Sequence, residues 1–270
     1  MRLLRYGVLG LMVLWSAGPV ALVVLSSFKP TPEIFVYPPR LIFDPTLDHY
    51  RNLFERWPDF ARTLKNSLIV ALAATTLTVV ASVLAGYVYS RYRGRMLAGS
   101  AMFMVAIRLL PPIVITLPLF PIADRIGVID SYWILIALYA TFFVSLGSMI
   151  LKTFIDSIPE ELDQAALVDG ASEMQTLLRI IVPLSAQGMV AASVFVFVYA
   201  WNEYLFAFIF TTSRAKTAPI VISEMMGSLT GVDWGVLFAA ASVQLVPVVV
   251  FVMLVQKFLI AGLTSGAMKG

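Results

Sequence analysis

The chain has no cysteine and a single histidine, His49, among its 270 residues. The first absence removes disulfides, a thiolate nucleophile and every cysteine-based metal site. The second removes any metal cluster built from several histidines. Charge is scarce too: 13% of residues are Asp, Glu, Lys or Arg, where an average soluble domain carries roughly 25%. No Gly-x-x-x-x-Gly-Lys-Ser/Thr loop occurs, so the chain cannot cradle ATP phosphates by that route. Strict apolar/polar alternation is missing, which argues against a membrane β-barrel. The net charge of +3 is small, and the basic residues fall in loops rather than along one helix face, so nucleic acid is not an expected partner.

What fills the space is apolar: 60% of the residues are hydrophobic. One small core cannot bury so much, and the solvent it calls for is lipid. Uncharged runs extend from Tyr6 to Phe28, Asn66 to Ser90, Ser131 to Ile150, Ile180 to Asn202 and Trp234 to Gln256, and a sixth, from Met96 to Ala123, is interrupted only by Arg108. Each is long enough to cross about 30 Å of hydrocarbon as a helix, the form that satisfies its own backbone in lipid. The expectation is an all-α integral membrane protein, one transmembrane domain over 1–270. Its six spans lie near 6–28, 66–90, 96–123, 131–151, 180–210 and 234–257. Arg2 and Arg5 resemble the start of a signal peptide. The apolar stretch behind them is too long, however, and no small-x-small site precedes Lys29, so the first run reads as an uncleaved span.

Six spans put both termini on one side. The Lys and Arg residues outside the spans divide evenly between the two faces. The flank at Arg2 and Arg5 and the turn holding Arg91, Arg93 and Arg95 contain no acid, whereas the opposite face mixes its bases with Glu33, Asp44, Asp48, Glu55 and Asp59. This favours both termini in the cytoplasm. The outer loop 29–65 is proline-rich, and Tyr50, Phe54, Trp57 and Phe60 suggest a short interfacial helix before the second span.

The inner loop 152–179 is the most informative part of the chain. Asp156, Glu160, Glu161, Asp163, Asp169 and Glu173 face only Lys152 and Arg179. Ser157 with Glu160 reads as a capping box, with Pro159 in the first turn. Gly170 can take the left-handed conformation that ends a helix, and Ser172 can cap a second helix over 173–180. Leu162, Ala165, Ala166 and Leu167 give the first helix a small apolar surface. A net-acidic, partly apolar loop of this kind suits protein docking.

The same residues resemble a known motif. ABC importer permeases carry Glu-Ala-Ala, three residues, Gly, nine residues, then Ile-x-Leu-Pro. Here Gln164-Ala165-Ala166 is followed at that spacing by Gly170 and by Ile180-Ile181-Val182-Pro183, with Gln for Glu and Val for Leu. Trp201-Asn202-Glu203-Tyr204, Arg108-Leu109-Leu110-Pro111-Pro112 and the ending Gly262–Gly270 resemble the maltose-type, carbohydrate-uptake permeases. The resemblance implies the type I ABC importer fold. It implies a second, homologous permease, two ATPase subunits that hold the ATP and Mg, and an extracytoplasmic solute-binding protein, all at a bacterial-type inner membrane. No cofactor, metal or catalytic residue is implied in this chain.

The resemblance also implies that Glu161, Asp163, Gln164, Ala165, Ala166, Asp169 and Gly170 couple to the ATPase, with residues 160–173 moving in its cleft. Gln164 lacks the charge of the motif Glu, for which Glu161 or Asp163 could substitute. The tail 262–270 is expected to reach back towards the ATPase. Ionisable groups inside a membrane are functional candidates, so Arg108 and Glu203 could pair or line a solute pathway. Trp201 and Phe206 could stack on a sugar, and Asn202 and Tyr204 could hydrogen-bond its hydroxyls. Two other readings compete. A stand-alone secondary transporter would rest on repeats and broken helices, and no repeat is visible. An intramembrane hydrolase would need a Ser–Lys or paired-Asp arrangement, which the spans lack.

Overall fold

A computed structural model describes residues 2–228 and 231–267. Four helices are long and apolar enough to cross a membrane, and the count reaches six if each of two bent pairs is one span. The helices are α1 (Arg2–Ser26), α2 (Asp48–Arg56), α3 (Phe60–Arg91), α4 (Arg95–Ile107), α5 (Pro112–Arg125), α6 (Tyr132–Asp156), α7 (Glu161–Val168), α8 (Glu173–Thr176), α9 (Val182–Leu184), α10 (Ala186–Trp201), α11 (Leu205–Phe210), α12 (Ala218–Met226) and α13 (Trp234–Ala267). A π-helical turn, Leu177–Ile181, joins α8 to α9.

The chain divides into two compact units. One comprises residues 1–65 and 217–247. Its core gathers Leu53 of α2, Phe60, Val221 and Met225 of α12, and Val236, Ala239 and Ala240 of α13. Of the aromatic residues expected at the membrane interface, Phe60 is buried in this cluster and Tyr50 and Trp57 pack on it, while Phe54 stays exposed. His49 is buried as well: its Nε2 lies 2.7 Å from the Lys29 carbonyl, and its ring takes the space a side chain on Gly235 would need. Placed in a polar stretch of sequence, it gives no advance sign of burial.

The other unit comprises residues 66–216 and 248–270. α6 and α10 pack together along their length. Ile155 and Leu151 of α6, Val83 and Tyr87 of α3, Ala192 of α10, and Leu177 and Ile181 of the π turn build its core. α3 and α6 approach closely through small residues, as helices in lipid do where no hydrophobic effect drives them together. A Cβ on Gly147 would overlap Ser82 Oγ, and that hydroxyl donates to the Val144 carbonyl at 3.3 Å.

Two expected spans are not continuous. The run 96–123 breaks at Arg108–Pro111, where α4 and α5 meet at 96°. Pro111 and Pro112 cause the break: neither supplies an N–H, and each restricts the residue before it. The run 180–210 breaks at Ser185, with a bend of 74°, and again between Trp201 and Leu205. Of the expected tail, α13 carries the backbone helically to Ala267, while residues 268–270 lie outside the described residues, as do the side chains from 259 onward.

Gly147→Leu forces α3 and α6 apart and should destabilise the protein by about 1–3 kcal/mol, read as a lower melting temperature in detergent. Gly99, whose added Cβ meets nothing within 4 Å, should accept Ala without loss.

Candidate functional site

The segment after α6 forms a helix–turn–helix. Ser157 closes α6 rather than opening the next helix: its hydroxyl donates to the Phe154 carbonyl at 2.6 Å, and α7 starts at Glu161 with no side-chain cap. The Ser157–Glu160 capping box is thus not formed, because the serine is spent on the preceding helix end. α7 ends in a Schellman motif. Ala171 N donates to the Ala166 carbonyl at 3.0 Å and Gly170 N to the Leu167 carbonyl at 3.1 Å, with Gly170 at φ +87°. That conformation strains any residue with a Cβ. Ser172 then opens α8 with a capping box: its hydroxyl accepts from Gln175 N, and the Gln175 side chain accepts from Ser172 N at 2.9 Å. On the adjoining turn, a hydrogen bond to Glu173 raises the Tyr92 phenol above its ordinary range.

α7 has two faces. Glu161, Leu162, Gln164, Ala165, Leu167, Val168 and Asp169 are exposed, and Val168 keeps 87% of its surface. Asp163 and Ala166 are buried. Asp163 is therefore no stand-in for the motif Glu on an outer surface: its carboxylate meets the Arg91 guanidinium at 2.5 Å, and both side chains are about nine-tenths buried. Glu161 and Gln164 keep their place on the open face. Arg91, which the sequence presents as one of three topogenic arginines, belongs to the site, and only the fold brings it to an acid 72 residues away.

The second cluster of candidates sits at the helix breaks. Asn202 Nδ2 donates to the Val198 carbonyl at 2.8 Å, closing the end of α10. Glu203 accepts from Phe206 N at 2.8 Å and Ala207 N at 3.2 Å, opening α11. The two polar residues of Trp-Asn-Glu satisfy backbone groups that the interruption would leave orphaned. Trp201 is 1% exposed and stacked on Phe197, and Phe206 is buried against Tyr139 and Phe142. Neither ring is open to a sugar, because each fills the helix packing beside the break. Among the described residues no ion pair joins Arg108 to Glu203. Arg108 is half-buried at the α4–α5 break, and Asn202 and Tyr204 are exposed.

A third feature has no counterpart in the sequence reading. Asp130, in the turn between α5 and α6 and itself at φ 56°, accepts hydrogen bonds from the backbone N–H of Thr212, Ser213, Arg214 and Ala215 and from the hydroxyls of Thr212 and Ser213. Asn66 grips the same loop, donating to the carbonyls of Arg214 at 3.0 Å and Lys216 at 2.8 Å while accepting from the Tyr132 hydroxyl. Burial works to raise the Asp130 carboxyl, but the N–H donors outweigh it and hold the group well below the usual carboxylate range.

This framework matches a known family. The binding-protein-dependent transport system inner membrane component family matches residues 78–265. The chain belongs to that family. A trehalose/maltose transport system permease protein of Thermococcus litoralis is 35% identical over 264 residues, 96% of this chain and 94% of that one. A trehalose transport system permease protein of Mycobacterium tuberculosis is 39% identical over 230 residues, 83% of this chain and 82% of that one. A solved bacterial ABC transporter involved in alginate import superposes with a TM-score of 0.76 at 16% identity, over 94% of this chain and 95% of that one. The fold is that of a type I ABC importer permease, in a multi-pass membrane protein. Broken helices are present, so they do not separate a secondary transporter from an importer permease; the family match does, in favour of the permease.

Because the folded value of Asp130 is depressed, its contribution is complete above the unfolded carboxylate pKa of about 4 and fades only as pH falls through the lower folded value. Amide-exchange protection at Thr212–Ala215 should therefore be constant from neutral pH to about pH 5. Asp130→Ala should cut it roughly tenfold or more, the loss of a charged acceptor.

Proposed function

We propose that the chain is one of two permease subunits in an ATP-driven importer and that it forms half of the translocation pathway for a carbohydrate or related polyhydroxyl solute. Its partners in this reading are a homologous permease, two ATPase subunits carrying ATP and Mg, and an extracytoplasmic binding protein. The solute class rests on relatives described as trehalose and maltose permeases. Both termini lie in the cytoplasm, as the arginine-rich turn 91–95 favours.

The observation that carries the coupling role is the open face of α7. Leu162, Ala165, Leu167 and Val168 present apolar surface next to Glu161, Gln164 and Asp169 on a helix closed firmly at Gly170. An apolar patch with a polar rim is what a protein partner covers. The helix sits in the cleft of the ATPase and carries its motion to the spans. Gln164 offers the ATPase a neutral hydrogen bond in place of a charge.

In the pathway, Arg108 at the α4–α5 break and Asn202 and Tyr204 at the α10–α11 break are the polar groups assigned to a hydroxylated solute, while Glu203 and Trp201 shape the second of these breaks. The two interrupted spans support this assignment, since irregular backbone at membrane depth is tolerated where it lines a cavity.

Co-purification of an ATPase subunit with the tagged chain tests the reading first. Ala165→Trp places bulk on the open face without touching the buried one. It should leave insertion intact and abolish ATPase association and uptake, whereas normal uptake would reject the docking role. Arg108→Gln should assemble normally and lower uptake, and wild-type transport would remove it from the pathway.

A further inference from the structure

Arg91, the last residue of α3, binds three elements with one side chain. Its Nε donates to Asp163 Oδ2 at 2.5 Å, on α7. Its Nη1 donates to Ser90 Oγ at 3.1 Å and to the Ile155 carbonyl at 3.2 Å, and its Nη2 donates to the Ile158 carbonyl at 3.0 Å. Ile155 and Ile158 flank the end of α6, where helix carbonyls lose their intrahelical partners and the dipole favours a cation. Lys152 is committed to Asp156 at 2.6 Å, which leaves Asp163 to Arg91.

The pair is costly to keep. Its side chains are 8% and 11% exposed, and a buried ion pair is often matched or bettered in stability by apolar residues of similar size. Such a pair does offer direction. A planar guanidinium with several fixed donors resists sliding and rotation in a way that apolar contact does not. Asp163 lies on the face of α7 opposite the open one, so the two faces divide the work: one is free for a partner and the other is bolted to the bundle.

We infer that Arg91 is a positioning residue for energy coupling. Through Asp163 and the end of α6 it makes α7 move as one body with the ends of α3 and α6, so that displacement of α7 is transmitted to the spans rather than absorbed in the loop. The inference rests on α7 being the helix that receives the ATPase.

The test uses the assembled importer, with its sister permease, ATPase and binding protein, in proteoliposomes, and measures solute imported per ATP hydrolysed. Asp163→Asn and Arg91→Gln should assemble and hydrolyse ATP while that ratio falls about tenfold, the size of a mid-range coupling energy. Arg91→Lys keeps the charge but cannot span the acid and both carbonyls, and should give an intermediate ratio. An unchanged ratio in Asp163→Asn overturns the inference. If the single variants fail to assemble, the double variant Arg91→Met with Asp163→Leu decides, since an apolar pair restores packing without the directional link. Assembly with a low ratio supports the link. Assembly with the wild-type ratio, or no assembly, shows that the pair only holds the fold, and overturns it. A wild-type chain that binds no ATPase would instead reject the functional reading above.

Discussion

Hydrocarbon offers no hydrogen bond to a peptide group, so each N–H and C=O within the membrane must find its partner inside the protein. Most of this chain answers with long helices, of which α3, α6 and α13 run 32, 25 and 34 residues. The exceptions follow from the same constraint. Where the fifth apolar run is interrupted, Asn202 returns a hydrogen bond to the end of α10 and Glu203 supplies two acceptors to the start of α11. Where the third is interrupted, prolines stand at the start of α5, so no orphaned N–H arises at those positions. A break in a membrane helix is stable only if it is chemically closed, and a closed break can leave neighbouring groups such as Tyr204 exposed.

Outside the spans the same economy of partners gives rigidity. Asp130 and Asn66 immobilise the loop from Thr211 to Thr217 by taking its backbone donors and acceptors in turn. Gly170 and Ser172 fix the turn between α7 and α8 through a Schellman end followed by a capping box. In both places short-range chemistry specifies a conformation that loop sequence alone would leave open. The Arg91 fork adds the long-range counterpart, fastening α7 to the ends of two membrane helices.

The helical class, the apolar runs and the left-handed Gly170 were legible in the sequence because each depends on local composition or on one residue's backbone freedom. Ser172 was legible as a cap for the same reason. Ser157 serves α6 rather than α7 because the end of one and the start of the other lie so close that one serine could serve either, and only the folded geometry shows which. The uninterrupted reading of 96–123 and 180–210 failed because hydropathy averaged over a run measures solvent preference and is blind to direction: Pro111 and Pro112 turn one run and the other bends at Ser185, each within a stretch that stays apolar on average, while Asn202 and Glu203 close a second break near its end. By sequence Trp201 and Phe206 could stack on a sugar or pack, since aromatic character says nothing of which neighbours cover them, and the structure buries both.

By itself, the sequence determined the solvent of this protein, its helical nature, and the position of the loop whose motif spacing points to a partner. Those are properties of composition and of order along the chain. The tertiary structure alone decided which residues of that loop look outward and which look in, placing Gln164 and Ala165 on the open face and joining Asp163 to Arg91. It also showed that the Trp-Asn-Glu stretch is first of all the closure of a helix break. The reason is physical: an ion pair 72 residues apart and the burial of one helix face depend on how α3, α6 and α7 come together, and no local propensity encodes that meeting.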